Sequence, residues 1–279
     1  MAGLDEFERE QAILLALESA GRVQVNELAS RFGVSAVTVR KDLDALERRS
    51  LLRRIRGGAV SAGNADEGAW GMRVRHGVEA KQAIARAVAP LVVNGDVIAL
   101  DSSTTGYHLA RELLDRRNLV VVTNGLRTAQ LFMQESTAMV LMPGGILRRS
   151  SESMVGPIGD LLAGRGRIDK GFFGLVGLST TLGLLEVSVD EAHTKSFIAG
   201  VCNEVYGLFD SSKATRFAVH PFVPVERVTA LYTDAGISSD FVAEWSRAGV
   251  ETRVASASET TSAAEAADAT VRPIRRDRA

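Results

Sequence analysis

Two groups of side chains in this sequence have the types and spacing to do chemistry. The first is Ser35, Ala36, Thr38, Arg40 and Lys41, within Gly33-Val34-Ser35-Ala36-Val37-Thr38-Val39-Arg40-Lys41-Asp42-Leu43-Asp44-Ala45-Leu46. They are small, hydroxylic or cationic, with no acid among them, which suits base edges and phosphates of DNA. The second group follows short apolar runs. It comprises Asp101-Ser102-Ser103-Thr104-Thr105-Gly106, Thr123-Asn124-Gly125, Pro143-Gly144-Gly145, Gly174 to Gly177, and Asp210-Ser211-Ser212-Lys213. A hydroxyl-rich turn opening a helix offers amides, side-chain donors and a positive dipole end, which is a site for phosphate or another anion. Paired glycines let backbone approach a ligand, and Lys213 supplies a cation. Each turn alone has an ordinary reading as cap or turn chemistry; it is their convergence on one rim that points to a ligand.

The first group needs a helix to carry it. Ser35 is a good N-cap. Val39, Leu43 and Leu46 then share one helical face, which leaves the polar residues on the others. The helix predicted from about Ala36 to Arg49 is roughly 20 Å long at 1.5 Å per residue, enough to cross a major groove. Val25 to Phe32 reads as a preceding helix with Leu28, Ala29 and Phe32 inward, ended by Gly33. This is the helix-turn-helix pattern. An antiparallel helix pair in any core has the same spacing, so charge separates the two. From Arg31 to Val60 eight basic residues stand against three acids, in a chain of net charge -1. An earlier helix is expected over Leu4 to Ser19, with Phe7, Ile13, Leu14 and Leu17 as its stripe. Leu51 to Val60 reads as a two-stranded wing turning at Gly57-Gly58. Its Arg53, Arg54 and Arg56 either meet phosphates or form a solvated basic edge.

The second group needs a sheet. After a Gly-, Ala- and Ser-rich stretch taken as a linker, helices and strands alternate. An amphipathic helix carries Ala80, Ile84, Ala87, Val88 and Leu91. Strands are predicted at Asp96–Asp101, Leu119–Thr123, Ala138–Met142, Gly171–Gly177, Val205–Phe209, Val228–Thr233 and Thr252–Ala255. Helices are predicted at Tyr107–Leu114, Leu126–Gln134, Ile158–Leu162, Glu191–Gly200 and Ser239–Ala248. This alternation predicts an α/β fold with a doubly wound, mainly parallel sheet, whose ligands sit beyond the carboxyl ends of the strands. The expected division is 1–60 for a winged helix-turn-helix, 61–73 for the linker, 74–255 for the α/β domain and 256–279 for a disordered tail.

Bulk composition narrows the classes. Hydrophobic residues make up 46% of 279, ample for a core, yet no run approaches the roughly 18 apolar residues of a membrane span. The start, Met1-Ala2-Gly3-Leu4-Asp5-Glu6, lacks the basic and apolar regions of a signal peptide. A single cysteine, Cys202, excludes an internal disulfide and reads as a small core residue. A cytoplasmic protein is expected. Near-neutral charge argues against a wholly basic DNA-packaging protein and fits a local DNA-binding patch.

At the level of motifs, Val34-Ser35-x-x-Thr38-Val39-Arg40-Lys41-Asp42-Leu43-x-x-Leu46, then Leu51-Leu52-x-Arg54 and Arg56-Gly57-Gly58-Ala59, resembles the DeoR family of bacterial transcriptional regulators. Lys41 stands where the family usually has Arg, Ser50 where it has a helix-ending Gly, and Arg56 where His is common. Residues from about Lys81 to Asp234 resemble the DeoR sensor domain, which is similar in fold to ribose-5-phosphate isomerase. Ser103 departs from the family's Asp-x-Gly-Thr-Thr; a Cβ and hydroxyl there would tighten the loop or narrow the choice of ligand. The resemblance implies Asp101, Thr104, Thr105, Asn124, Gly145 and Lys213 as effector contacts, with Glu191 a weaker one. Ser102, Ser103, Thr123 and Gly144 complete the candidate rim, and a lone His193 reads as structural.

The resemblance implies a transcription factor, most often a repressor in this family. It would bind operator DNA as a homo-oligomer and respond to a phosphorylated sugar or sugar-derived metabolite. No catalytic residue, metal or cofactor is expected. The rival is an isomerase-like enzyme using Asp101, Asp190, Glu191 or Lys213 for proton transfer, but a basic winged helix has no role in that reaction.

Overall fold

The computed structural model describes residues 5–20, 22–48, 51–61, 70–156, 167–216 and 218–255. The first domain contains α1 (Glu6–Ala20), β1 (Arg22–Gln24), α2 (Val25–Phe32), α3 (Ala36–Arg48), β2 (Leu52–Ile55) and β3 (Gly58–Ser61). Gly33 ends α2 in the left-handed region at φ 66°, which a side chain would strain. Ser35 Oγ accepts from the Thr38 amide at 3.0 Å and so caps α3. Ile13, Leu14 and Leu17 are buried against Leu28, Phe32, Val39, Leu43 and Leu46 in one cluster. Phe7, expected in that stripe, is 43% exposed, because α1 begins only one residue before it and its first turn overhangs the core. Arg9 clamps α1 to α3 through both Asp42 carboxylate oxygens, at 2.9 and 3.2 Å.

The wing has a third strand that the sequence reading missed. β1 pairs antiparallel with β3, giving the order β1-β3-β2. Three residues without a long alternating pattern carry almost no strand signal. Here Val23 is held because Gly58 lies against its carbonyl, where a Cβ would not fit.

The second domain opens with α4 (Trp70–Arg73) and α5 (Val78–Val88), then β4 (Val97–Leu100), α6 (Thr104–Arg111), β5 (Val120–Thr123), α7 (Leu126–Glu135) and β6 (Met139–Leu141). A hairpin of β7 (Ile146–Arg148) and β8 (Ser153–Val155) follows. Next come β9 (Ile168–Gly174), β10 (Gly177–Ser179), β11 (Gly183–Glu186) and α8 (Val189–Gly200). The last elements are β12 (Cys202–Leu208), β13 (His220–Val223), β14 (Ala230–Asp234), α9 (Ser239–Arg247) and β15 (Glu251–Ala255). Seven parallel strands run in the order β15-β14-β12-β9-β4-β5-β6. One core cluster draws on α5, α6 and α7, the other on α8 and α9, so both faces of the sheet are covered. The strand order reverses between β4 and β9, which makes that junction the switch point of the fold.

Three sequence expectations shift, and two features were not expected at all. The helix placed at Tyr107 starts at Thr104, because Ser103 caps it by accepting from the Gly106 amide at 3.0 Å. The strand placed at Gly171–Gly177 spans Ile168–Gly174. Its charged opening is satisfied by β4: Lys170 pairs with Asp96 at 2.8 Å and Asp169 accepts from the Val97 amide at 2.8 Å. The linker to residue 73 is too long, since Trp70 is buried, packs edge-to-face on Tyr107 at 5.1 Å, and donates its amide to the Ser150 carbonyl. The hairpin β7–β8 and the antiparallel sheet β10-β11-β13 had no counterpart in the sequence reading. Their strands of three or four residues are too short to show a period. The helix expected at Ile158–Leu162 and the tail at 256–279 lie outside the described residues.

The small sheet β10-β11-β13 is a wall with two occupied faces. Leu184 belongs to the core of the second domain, whereas its neighbour Leu185 belongs to the cluster of the winged helix. The chain around the sheet divides the same way: Leu175 faces the core of the second domain and Val176 the winged helix, and Ala218 joins the latter cluster while Phe222 joins the former. At Leu184 and Leu185 the alternation of side chains across β11 is the physical reason.

Candidate functional site

The cationic face of α3 is open to solvent. Val39, Asp42, Leu43 and Leu46 are buried, and Arg40 and Lys41 are exposed on the other side with Ser35; Thr38 is half-buried. Ala36 is half-buried and packs against the core of the winged helix. Arg56 is exposed in the turn of the wing. Arg54 turns toward α3. Its guanidinium pairs with Asp44 at 3.4 Å and its amide donates to Glu47 at 2.7 Å. The wing thereby pairs Asp44 with a cation and holds Glu47 by a backbone amide. The side chain of Arg53 lies outside the described residues.

The second site is a cavity of about 270 Å³ beyond the carboxyl ends of β4, β9 and β12, at the switch point. β4 leads into Ser103, Thr104 and Thr105, which open α6 and turn its amino end toward the space. Lys213 and Arg216 approach after β12. From the opposite side come Arg73, His76 and Lys81. The ammonium of Lys81 is fixed by the carbonyls of Arg73 and His76, each at 2.6 Å, so the segment between α4 and α5 is tied to the rim. Converging cations and a helix amino end, with Asp210 the acid in the lining, give this cavity the chemistry that suits an anion.

Behind the rim lies a layer of buried charge. Lys195 Nζ sits 2.8 Å from Asp101 Oδ2, contacts Glu186, and donates to the Gly174 carbonyl at 3.0 Å. Asp101 also accepts from the amides of Ser103 at 3.1 Å and Gly174 at 2.9 Å, which locks the β4–α6 turn onto the end of β9. A Cβ at Gly174 would collide with the Ser103 side chain, so the glycine is what lets these ends meet. Glu191 is a second hub. It accepts from Asn124 at 3.2 Å, Arg148 at 3.1 Å and Ser151 at 2.8 Å, and from Ser153 and Ser102. One carboxylate thus pins the β7–β8 hairpin to the ends of β4 and β5.

Of the sequence candidates, Ser103, Thr104, Thr105 and Lys213 line the cavity. Ser102 and Glu191 line a smaller neighbouring one, which shares Ser103 and Arg73 with the first. Asp101 and Asn124 are buried supports. Thr123 is fully buried and its hydroxyl accepts from the Gly125 amide at 3.0 Å, so it closes a turn rather than facing a ligand. Gly144 and Gly145 lead into the hairpin; Gly145, at φ 148°, packs on the Val155 carbonyl, and neither lines the cavity. His193 is exposed on α8 and also outside it. Sequence reading missed Arg73, His76, Lys81, Arg216 and Glu186 as site residues, and it took Lys195 only as part of the family resemblance, not as a contact. The first three precede the sheet and carry no strand-end signal. Lys195 lies within a helix pattern, where a lysine ordinarily reads as solvated.

A family model for a DeoR-like helix-turn-helix domain matches residues 9–64, and one for the DeoR C-terminal sensor domain matches residues 76–235. The chain is 32% identical over 232 residues to the glycerol-3-phosphate regulon repressor of Escherichia coli (strain K12), covering 83% of this chain and 92% of that one. It is 30% identical over 250 residues to the HTH-type transcriptional regulator GolR of Listeria innocua, covering 89% and 98%. Ribose 5 phosphate isomerase A from Neisseria gonorrhoeae aligns over 49% of this chain and 53% of its own, at 12% identity and a TM-score of 0.35, too distant to carry an argument.

Proposed function

The chain belongs to the DeoR family of transcriptional regulators, and from that premise we propose that it represses genes of sugar or polyol metabolism under the control of a phosphorylated metabolite. α3 enters the major groove of an operator, with Arg40 and Lys41 toward bases or phosphates and Arg56 toward the backbone. The phosphate sits at the amino end of α6, among Ser103, Thr104, Thr105, Lys213 and Arg216. Asp101 and Asn124 act as supports of that site. The protein works in the cytoplasm as a homo-oligomer, because helix-turn-helix readers occupy paired half-sites; no helix among the described residues is long and apolar enough to cross a membrane.

One observation carries the reading. Two segments that bound the ligand cavity, and one that bounds its smaller neighbour, each have a residue in the winged-helix core one or two positions away: Leu175 beside Val176, Arg216 near Ala218, and, at the smaller cavity, Glu186 beside Leu185. A ligand that shifts the first member of each pair moves the second. Coupling of this kind is typically about 1–3 kcal/mol, or 5- to 150-fold in affinity.

Turnover is not favoured, since Asp101 and Glu186 are both held by Lys195 and Glu191 is engaged by five donors. None stands ready to take a substrate proton. The test is DNA-binding anisotropy with the gene's own upstream region, with and without glycerol phosphate, pentose phosphates and hexosamine phosphates. One of them is expected to change the affinity and raise the melting temperature, with no isomer formed. Steady isomer formation, or equal affinity for random DNA, would overturn the reading.

A further inference from the structure

An apolar residue stands at the centre of the exposed face of α3. Val37 is 70% exposed. With about 100° between successive residues, it lies opposite the buried stripe of Val39, Asp42, Leu43 and Leu46. Arg40 and Lys41, three and four positions on, flank it on the same side and are exposed. The acid on that side, Asp44, is paired with Arg54. The face is therefore an apolar spot ringed by cations, in the first turn of the helix, the part that reaches base edges in a helix-turn-helix. Cations select a polyanion as the occupant. The apolar group that a polyanionic duplex presents in its major groove is the C5-methyl of thymine.

We propose that Val37 is a specificity-determining residue that reads a thymine methyl, next to the base pair met by Arg40 or Lys41. The proposal rests on the reading of α3 as the DNA-recognition helix. It makes a thymine at one fixed position in each half-site a requirement that no hydrogen bond reports.

The full-length protein is first used to select its preferred site from random duplexes. Duplexes of that site are then made with uracil for thymine at one position at a time, and each is titrated with wild type and Val37→Ala. Because Val37 is exposed, the variant is expected to melt as wild type does. At one thymine per half-site, loss of the methyl should weaken wild-type binding about three- to fivefold, the order set by burying one methyl group. The same change should leave Val37→Ala unaffected. Uracil effects that are equal in wild type and variant at every position overturn the proposal while leaving the DNA-binding reading intact, since sequence preference persists. A Val37→Ala protein that keeps its thymine dependence but changes its sedimentation also overturns it, by assigning the residue to contact with a second copy. Absence of any sequence preference in wild type overturns both.

Discussion

Single side chains divide into those that meet ligands and those that hold them. Arg40→Ala removes an exposed donor from α3, and operator affinity is expected to fall by about 1–3 kcal/mol with the melting profile unchanged; undiminished affinity at moderate salt would remove α3 from the interface. Arg54 tests a different role. If it masks Asp44, Arg54→Ala should weaken DNA binding about threefold, and Asp44→Asn added to it should restore affinity. If Arg54 instead grips a phosphate, the second change rescues nothing. Thr104→Val and Lys213→Ala should abolish the melting shift caused by the effector and leave DNA affinity alone. His108 is buried on α6 with Nε2 lacking a partner, and burial lowers its pKa. The neutral form is favoured on folding, so stability is intact above the unfolded value of about 6.5 and falls as pH drops below it. Melting temperatures between pH 7.5 and 5.5 should therefore decline more in wild type than in His108→Asn.

Elements are placed by a few buried polar contacts. Arg9 and Asp42 join α1 to α3 with almost no solvent around the carboxylate. Arg9→Ala leaves that charge unpaired and should destabilise the winged helix by about 3 kcal/mol, readable by chemical denaturation. An unchanged midpoint would mean that α1 is held by its apolar stripe alone. The rim depends on strand ends in the same manner. Asp101 binds amides from two different ends, so the turn that opens α6 has one conformation before any ligand arrives. Pre-organised donors bind an anion without a further ordering cost.

At the scale of the whole molecule, the sheet β10-β11-β13 is the wall through which the proposed coupling of pocket and winged helix would run. Glu186 pairs with Lys195 on one side while Leu185 and Val187 pack toward the winged helix on the other. Leu185→Ala opens a cavity in that wall and should cost about 3 kcal/mol of stability. Its diagnostic effect is separate. The effector should still raise the melting temperature, yet its influence on operator affinity should shrink several-fold. An undiminished influence would place the coupling elsewhere, such as in a contact between protomers.

The sequence by itself determined the elements whose physics is local. The helix-turn-helix was legible because Gly33, Ser35 and the stripe Val39, Leu43 and Leu46 state where a helix stops, starts and faces. The parallel sheet was legible because buried strands such as Val97–Leu100 and Val120–Thr123 are continuous apolar runs between helices. What only the tertiary structure decided was which polar residues meet. Thr123 and Gly145 carry the same strand-end signature as Thr104 yet close a turn and a hairpin, because a strand's place in the sheet sets which end faces the cavity. Lys81, Arg216 and Lys195 reach the site from segments far apart in the chain, and periodicity describes a residue's own element, never the neighbour across a gap. The two-faced sheet is the same case at larger scale: three short strands have no period to read, and their position between two cores exists only once both cores have formed.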